Sequence, residues 1–438
     1  MKKLTLFTIL TLLSAVLLNV FVFKKVPNDE SEKIIAETNQ YKHPINSIEM
    51  SEKNTQDLEF LKTVLKNNRI VFLGESIHQD GQTFKAKARL IKYLHENLDY
   101  NVVLYEAGQY DMWVTNEEME KGTLGIGKDS IAGLGMFNFW WANKETLPLN
   151  NYYLQSKKTN NPITLGGFDI QFSGSLYNSF RSSQKSTNNI ARVKLLKDFL
   201  DKNSININGY PLFKRELSFF DLLKIKNVFE ESYKKEERQL FFNELDSIKY
   251  RVSKLPKTAE TSIYARYLND VKNDIQKNLK YKPGSMESMQ FRDSLMAENL
   301  ISQLDSLYSN QKVIVWTANV HLYKKYHTNE YKPLGQYIKE RYKNQSYAIG
   351  FTSYGVYNPL MQIANTPNKY AIENAFHQLN QPYFFLDFRQ IPSQSILKTE
   401  YFSVIDQGMN IKAKWSDFVD GIFYIDANQL PTPLNEDK

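Results

Sequence analysis

The chain has 438 residues, 42% hydrophobic and 13% aromatic, enough to bury a sizeable core and too apolar for a disordered chain. Its net charge of +7 and pI near 9.0 come from lysines scattered among acids, a solvated surface that gives no reason to expect a nucleic-acid partner. Cysteine is absent, which excludes disulfides, a thiol nucleophile and any cysteine-ligated zinc or iron–sulfur site.

Residues 1–25 open with Lys2 and Lys3, run apolar from Leu4 to Phe23, and close with Lys24 and Lys25. An apolar run of about 20 residues between cations reads as a signal anchor or signal peptide. It predicts membrane contact through residues 4–23 and an extracytoplasmic protein, anchored or secreted. Residues 26–55, rich in Asn, Glu, Lys and Ser, read as a linker.

The remainder has an α/β pattern. A mostly parallel central sheet flanked by helices is predicted over residues 56–181 and 285–430, with a helical insertion at 182–284. Ile70 to Leu73 is a buried-type strand, followed closely by Glu75 and His78. From Gln82 to Leu98 a helix is predicted, with Phe84, Ala88, Ile91, Leu94 and Leu98 on one stripe. Lys87 falls on that same inward stripe, where nearby carboxylates are its natural partners. Asn101 to Ala107 is a second such strand and carries Glu106 at its end. Two strands joined by one helix form a βαβ unit with both carboxyl ends on one edge, so Glu75, His78 and Glu106 should converge there.

The aromatic stretch from Met136 to Gln155 reads as core packing that also has the position of a pocket wall. Pro162 to Phe168 is a third strand and is followed by Asp169. A helical region spans about 182–307, and its last helix carries Arg292 and Asp293 near the start, positions that suit a surface or capping role as well as a functional one. Lys312 to Ala318 is a fourth strand with Asn319 and His321 at its end. A helix from Leu334 to Tyr342 leads to a strand beginning at Ser346, and Pro382 to Phe388 and Gly421 to Asp426 complete the sheet.

Four strand ends thus deliver Glu75 with His78, Glu106, Asp169, and Asn319 with His321. A histidine held by a carboxylate has the makings of a general base that takes a proton from water near neutral pH. His78, Glu75, Glu106 and His321 are therefore the candidate catalytic residues, and Lys87, Asp169, Asn319 and Arg292 the candidate substrate contacts. No resident cofactor or metal is expected. The alternatives are a hydrolytic divalent-metal site on the same histidines and glutamates, or a non-catalytic envelope protein that binds a ligand. Other signatures fail: Gly74-Glu75-Ser76-Ile77-His78 is no nucleophile elbow, and His95-Glu96 lacks the second histidine of a zinc-protease helix.

Several stretches together resemble the erythromycin esterase family. They are LGESIH (Leu73 to His78), VVLYEAG (Val102 to Gly108), LGGFDIQ (Leu165 to Gln171), FRDSLMAENL (Phe291 to Leu300) and VIVWTANVHL (Val313 to Leu322). The resemblance spans about residues 57–430. It implies an α/β domain with an inserted helical bundle, and metal-independent hydrolysis of a small-molecule ester or lactone by histidine-activated water. By position it assigns that histidine to His78, the flanking glutamate to Glu75, the strand-end glutamate to Glu106 and the late histidine to His321. The chain departs from the family pattern where Ala318 replaces a further histidine and Lys87 replaces an arginine. Lysine keeps the charge but loses the planar two-donor fork.

Overall fold

The computed structural model describes residues 28–173, 189–217, 234–358, 363–365 and 367–434. The apolar run at residues 4–23 lies outside the described residues, as do parts of the helical insertion expected from sequence, 182–188 and 218–233. Among the described residues, no helix is long and apolar enough to cross a membrane.

The segment expected to be a linker is folded from residue 28 onward. Helix α1 (Asn28–Tyr41) buries Ile34 and Thr38, and strand β1 (His43–Pro44) follows it. Ile45 and Ile48 are also buried. Isoleucines spaced along an otherwise polar segment were enough to tie it to the domain, because each fully buried side chain gains on the order of 1.5–3 kcal/mol.

Further along the chain come β2 (Ile70–Leu73), β3 (Tyr100–Gly108), β4 (Thr164–Asp169), β5 (Lys312–Trp316), β6 (Ser346–Asn358), β7 (Ile363–Asn365) and β8 (Tyr383–Asp387). Strands β9 (Tyr401–Asp406) and β10 (Met409–Ala413) make a separate antiparallel pair, and β11 (Gly421–Ala427) rejoins the main sheet. That nine-stranded sheet runs β1-β8-β11-β6-β2-β5-β3-β4, with β7 paired to β6 off this line. From β11 to β4 every neighbour is parallel. Strands β8 and β1 close one edge in antiparallel fashion.

Strand order differs from the sequence expectation in one respect that matters. Helix α2 (Gly81–Leu98) joins β2 to β3, but these strands are not adjacent, because β5 inserts between them. The carboxyl ends of β2, β5, β3 and β4 therefore form one continuous row. Helix α2 stops where Asp99 adopts a left-handed φ of 59°, a cap that aspartate tolerates better than most residues.

Helices cover both faces, as the uninterrupted burial of the parallel strands requires. On one side Val71, Leu73, Val103, Ile314 and Trp316 pack with Phe84, Ala88, Ile91 and Leu94 of α2. On the other, Phe72, Val102, Leu104, Val313 and Val315 pack with Met296, Leu300 and Leu304 of a helix at Met286–Asp305. Between β4 and β5 lie helices Asn189–Lys202, Pro211–Leu217, Lys235–Ser253 and Ala259–Lys280. Their apolar residues, among them Phe199, Phe241, Leu245 and Leu268, continue the core on the α2 side and meet Tyr110 and Met112 of α3 (Gln109–Lys121).

Candidate active site

Glu75 leaves the end of β2 in a short loop that turns beneath the end of β5. A Cβ on Gly74 would lie 2.0 Å from Asn319 Oδ1, so only glycine permits that close passage. The Glu75 carboxylate is fully buried and receives four donors. Oε1 lies 2.8 Å from His78 Nδ1 and accepts from the indole of Trp140 at 2.8 Å. Oε2 accepts from Lys87 Nζ at 2.6 Å and from the indole of Trp316 at 3.1 Å. Burial alone would favour the neutral acid, but the Lys87 charge and the His78 hydrogen bond outweigh it and lower the Glu75 pKa.

His78 sits with 43% of its side chain exposed, its ring packed against Phe139 and edge-on to Trp140. Burial of the ring opposes protonation, whereas the hydrogen bond to Glu75 and the charges of Glu106 and Glu75 favour it more strongly, so its pKa is raised. With Nδ1–H donated to Glu75, the Nε2 lone pair is free, and it has no hydrogen-bond partner among the described residues. Asp80, at the start of α2, is buried, and that burial together with the Glu75 charge pushes it up to about 7 despite the Ile77 N–H it accepts.

A second cluster sits at the ends of β3, β4 and β5. Glu106 Oε2 accepts from the Thr317 hydroxyl at 2.7 Å and the Ala318 N–H at 2.9 Å. Its Oε1 accepts from Arg292 at 2.8 Å and lies 3.3 Å from His321 Nε2. Arg292 also grips both oxygens of Asp169, at 3.1 and 2.5 Å. On the far side of the imidazole, Asp293 Oδ1 is 2.8 Å from His321 Nδ1, an ion-pair distance at an angle too bent for a good hydrogen bond. Burial disfavours the charged ring, but Asp293 and Glu106 more than compensate and raise the His321 pKa to about 10. Arg292 also approaches Nε2 at 3.3 Å, but with the ring protonated that contact is donor to donor and Glu106 takes the proton.

The two clusters form one site. Consecutive residues at the end of β5 bridge them, the Trp316 indole donating to Glu75 at 3.1 Å and the Thr317 hydroxyl to Glu106 at 2.7 Å. Glu75, His78, Glu106, Asp169, Arg292 and His321 are thus gathered at the carboxyl ends of four adjacent strands. Three expected substrate contacts are placed otherwise, and one of them, Asp169, is fully buried with both oxygens held by Arg292. Lys87 is completely buried behind Glu75, its ammonium 4.2 Å over the Trp316 ring, and holds the carboxylate instead of facing a ligand. Asn319 is also buried: both amide hydrogens go to the carbonyls of Phe351 and Ile405, and its Oδ1 accepts from the Phe351 N–H. It clamps the end of β5 to β6 and β9.

Trp140, Trp316, Asp80 and Asp406 carry no site signal in the sequence, and Asp293 suits a capping role there as well as a functional one. The indoles read as core because a donor aimed at a buried acid leaves no mark in an apolar pattern. Asp293 adjoins Arg292, but which neighbour each meets depends on how the helix packs. Asp406, the last residue of β9, is fully buried, and its carboxylate has no hydrogen-bond partner among the described residues, with His327 Nε2 4.0 Å away; burial pushes it up to about 6.

The profile of the family described as Erythromycin esterase matches residues 95–427. A Bacillus subtilis (strain 168) protein named as a hydrolase, YbfO, is 30% identical over 377 residues, covering 78% of this chain and 79% of its own length. An Escherichia coli protein named erythromycin esterase type II is 23% identical over 422 residues, covering 87% of this chain and 95% of its own. Among solved structures, a Bacillus cereus protein superposes with a TM-score of 0.72 at 19% identity, covering 92% of this chain and 99% of that one. An erythromycin esterase mutant in an open conformation gives 0.63 at 16% identity, covering 90% and 99%.

Proposed function

The chain belongs to the erythromycin esterase family and is a hydrolase of that family, and from this premise we propose that it cleaves an ester or lactone of a small molecule with water activated by His78. The observation that carries the reading is the His78 ring, tethered at Nδ1 to Glu75 and open at Nε2 in a half-exposed position.

Nε2 takes a proton from water, and the resulting hydroxide attacks the carbonyl carbon to give a tetrahedral oxyanion. Arg292 and the His321 imidazolium supply positive charge to the neighbourhood in which that anion forms. On collapse the C–O bond breaks, and protonated His78 returns its proton to the leaving alkoxide. Lys87 and the two indoles keep Glu75 ionised throughout, so the imidazole stays in one tautomer.

We infer that the reaction needs no divalent metal. The Glu75 and Glu106 oxygens are already taken by N–H and O–H donors, and Lys87 and Arg292 occupy the places of a metal ion's charge. Among the described residues no group of three or more His, Asp or Glu side chains has metal-holding geometry.

We also propose that residues 4–23 carry the chain out of the cytoplasm, supported by their apolar run between lysines. The central test is hydrolysis of a broad ester and lactone panel by the wild type and by His78→Ala. The variant should lose at least about a hundredfold in rate, and an unchanged rate would remove His78 from the mechanism.

A further inference from the structure

Ser76 stands between Glu75 and His78 in the loop that follows β2, and it is buried. Its hydroxyl reaches out of that loop to the tip of the β9–β10 hairpin, donating to the Val404 carbonyl at 3.0 Å and accepting the Gly408 N–H at 3.1 Å. The hairpin turns through Gln407 and Gly408, both at positive φ, 52° and 69°. Asp406 pairs with Met409 across the turn, and the Gly408 N–H also donates to the Val404 carbonyl at 3.1 Å. The turn is therefore closed by its own backbone, and the serine satisfies no group that the hairpin leaves open. What its two bonds add is a link between the turn and the catalytic loop.

The hairpin is a fixed support. Glu373 Oε1 accepts the Ser403 hydroxyl at 2.5 Å and the Val404 N–H at 3.2 Å, and Asn319 Nδ2 donates to the Ile405 carbonyl at 2.7 Å. The Asn319 N–H meanwhile donates to the Glu75 carbonyl at 2.8 Å. Strand β9 thus grips both histidine-bearing loops, the one with His78 through Ser76 and the one with His321 through Asn319. Among the described residues the half-exposed His78 ring has a single hydrogen bond, to Glu75, so its place depends on where its loop is held.

We propose that Ser76 is a positioning residue, its hydroxyl bolting the loop to the hairpin so that His78 keeps its 2.8 Å contact with Glu75. The kinetic consequence rests on the hydrolytic reading above, whereas the placement of the ring does not.

The test compares wild type, Ser76→Ala and Ser76→Thr as full chains with ring-labelled histidine, following the His78 titration by NMR, with its signal assigned from His78→Gln. The charges that act on His78 are those of Glu75, Glu106, Asp80 and His321, and none of these side chains bonds to the Ser76 hydroxyl. In Ser76→Ala the contact with Glu75 is held less often, so the titration midpoint should fall by at least about 0.5 pH unit toward the ordinary 6.5. With 4-nitrophenyl acetate as the probe, kcat should fall about tenfold while KM stays unchanged. The alanine leaves no polar group unpaired, so the thermal midpoint should move by no more than about 4 °C. Ser76→Thr keeps the hydroxyl and should titrate as the wild type does. A titration unmoved in Ser76→Ala, or moved equally in Ser76→Thr, would overturn the proposal. So would an alanine variant that fails to fold, since the hydroxyl would then support the fold and not the base. A wild type inactive on 4-nitrophenyl acetate would count against the hydrolytic reading for that ester and leave the titration to decide the role of Ser76.

Discussion

Asp293 approaches His321 Nδ1 to 2.8 Å from the side opposite Glu106, and is itself fixed by the Tyr331 hydroxyl at 2.6 Å and the Leu334 N–H at 3.0 Å. A carboxylate so held keeps the imidazolium in place and raises its pKa to about 10. If protonated His321 assists the reaction, activity is lost at alkaline pH as that proton leaves. Asp293→Asn should move the alkaline limb of the pH–rate profile to lower pH by at least about one pH unit. A purely structural role would lower the rate at every pH and leave the limb where it was.

On the acid side the controlling group is His78, which must be neutral to accept a proton. Its pKa is raised, with burial opposing and Glu75 and Glu106 prevailing, so the rate should climb with pH through a value above the ordinary 6.5. Replacing Glu75 by Gln removes the nearer negative charge and frees the tautomer. The acid limb should then shift to lower pH while the plateau drops by about 10²–10⁴-fold. A limb that stayed in place would separate Glu75 from the titration of His78.

The Glu75–Lys87 pair is buried on both sides, at 2.6 Å, which makes each partner costly to remove alone. Lys87→Met and Glu75→Gln should each destabilise the fold by about 3–5 kcal/mol, since either leaves a buried charge without its counterpart. The double variant should be less destabilised than the sum of the two by about 1–3 kcal/mol, read from urea unfolding midpoints. Stability recovered this way should bring back no activity, because the tether on His78 Nδ1 is still uncharged.

A hydrophobic run that stops near an acid is visible in one dimension, and for that reason Glu75, Glu106 and Asp169 are legible in the sequence. Strand order is a long-range property, so nothing local indicated that β5 would lie between β2 and β3 and bring His321 into the middle of the row. Asn319 shows the limit from the other direction. It stands at a strand end like a site residue, yet its amide is consumed by the backbone of β6 and β9, and β9 belongs to a hairpin that the sequence reading did not anticipate. Lys87 was legible as an inward lysine that needs an acid. That the acid would enclose it completely was a matter of packing.

Saturated carboxylates bear on metal dependence. Each oxygen of Glu75 and of Glu106 already has two close partners, and a metal would have to displace Lys87 or Arg292 to reach them. Dialysis against EDTA, followed by assay with and without added Mn²⁺ or Zn²⁺, should leave the hydrolytic rate unchanged. Loss on chelation with recovery on re-addition would mean that the ion pairs rearrange around a metal.

The two clusters also predict how stability responds to pH. Glu106 has a pKa well below 4.5: burial opposes ionisation, but the charges of His321 and Arg292 overcome it. A carboxyl depressed on folding contributes stability that is present above its unfolded pKa and is lost as pH falls through the folded value. The unfolding midpoints of wild type and Glu106→Gln should therefore draw together in acid. His321 has the opposite sign, because its pKa rises on folding from 6.5 to about 10. Its contribution is complete below about 6.5 and disappears as pH climbs toward about 10. The gap between wild type and His321→Gln should accordingly be at its full width up to about pH 6.5 and close in alkali, and a gap constant from pH 6 to 10 would show that the ring is not held as the imidazolium.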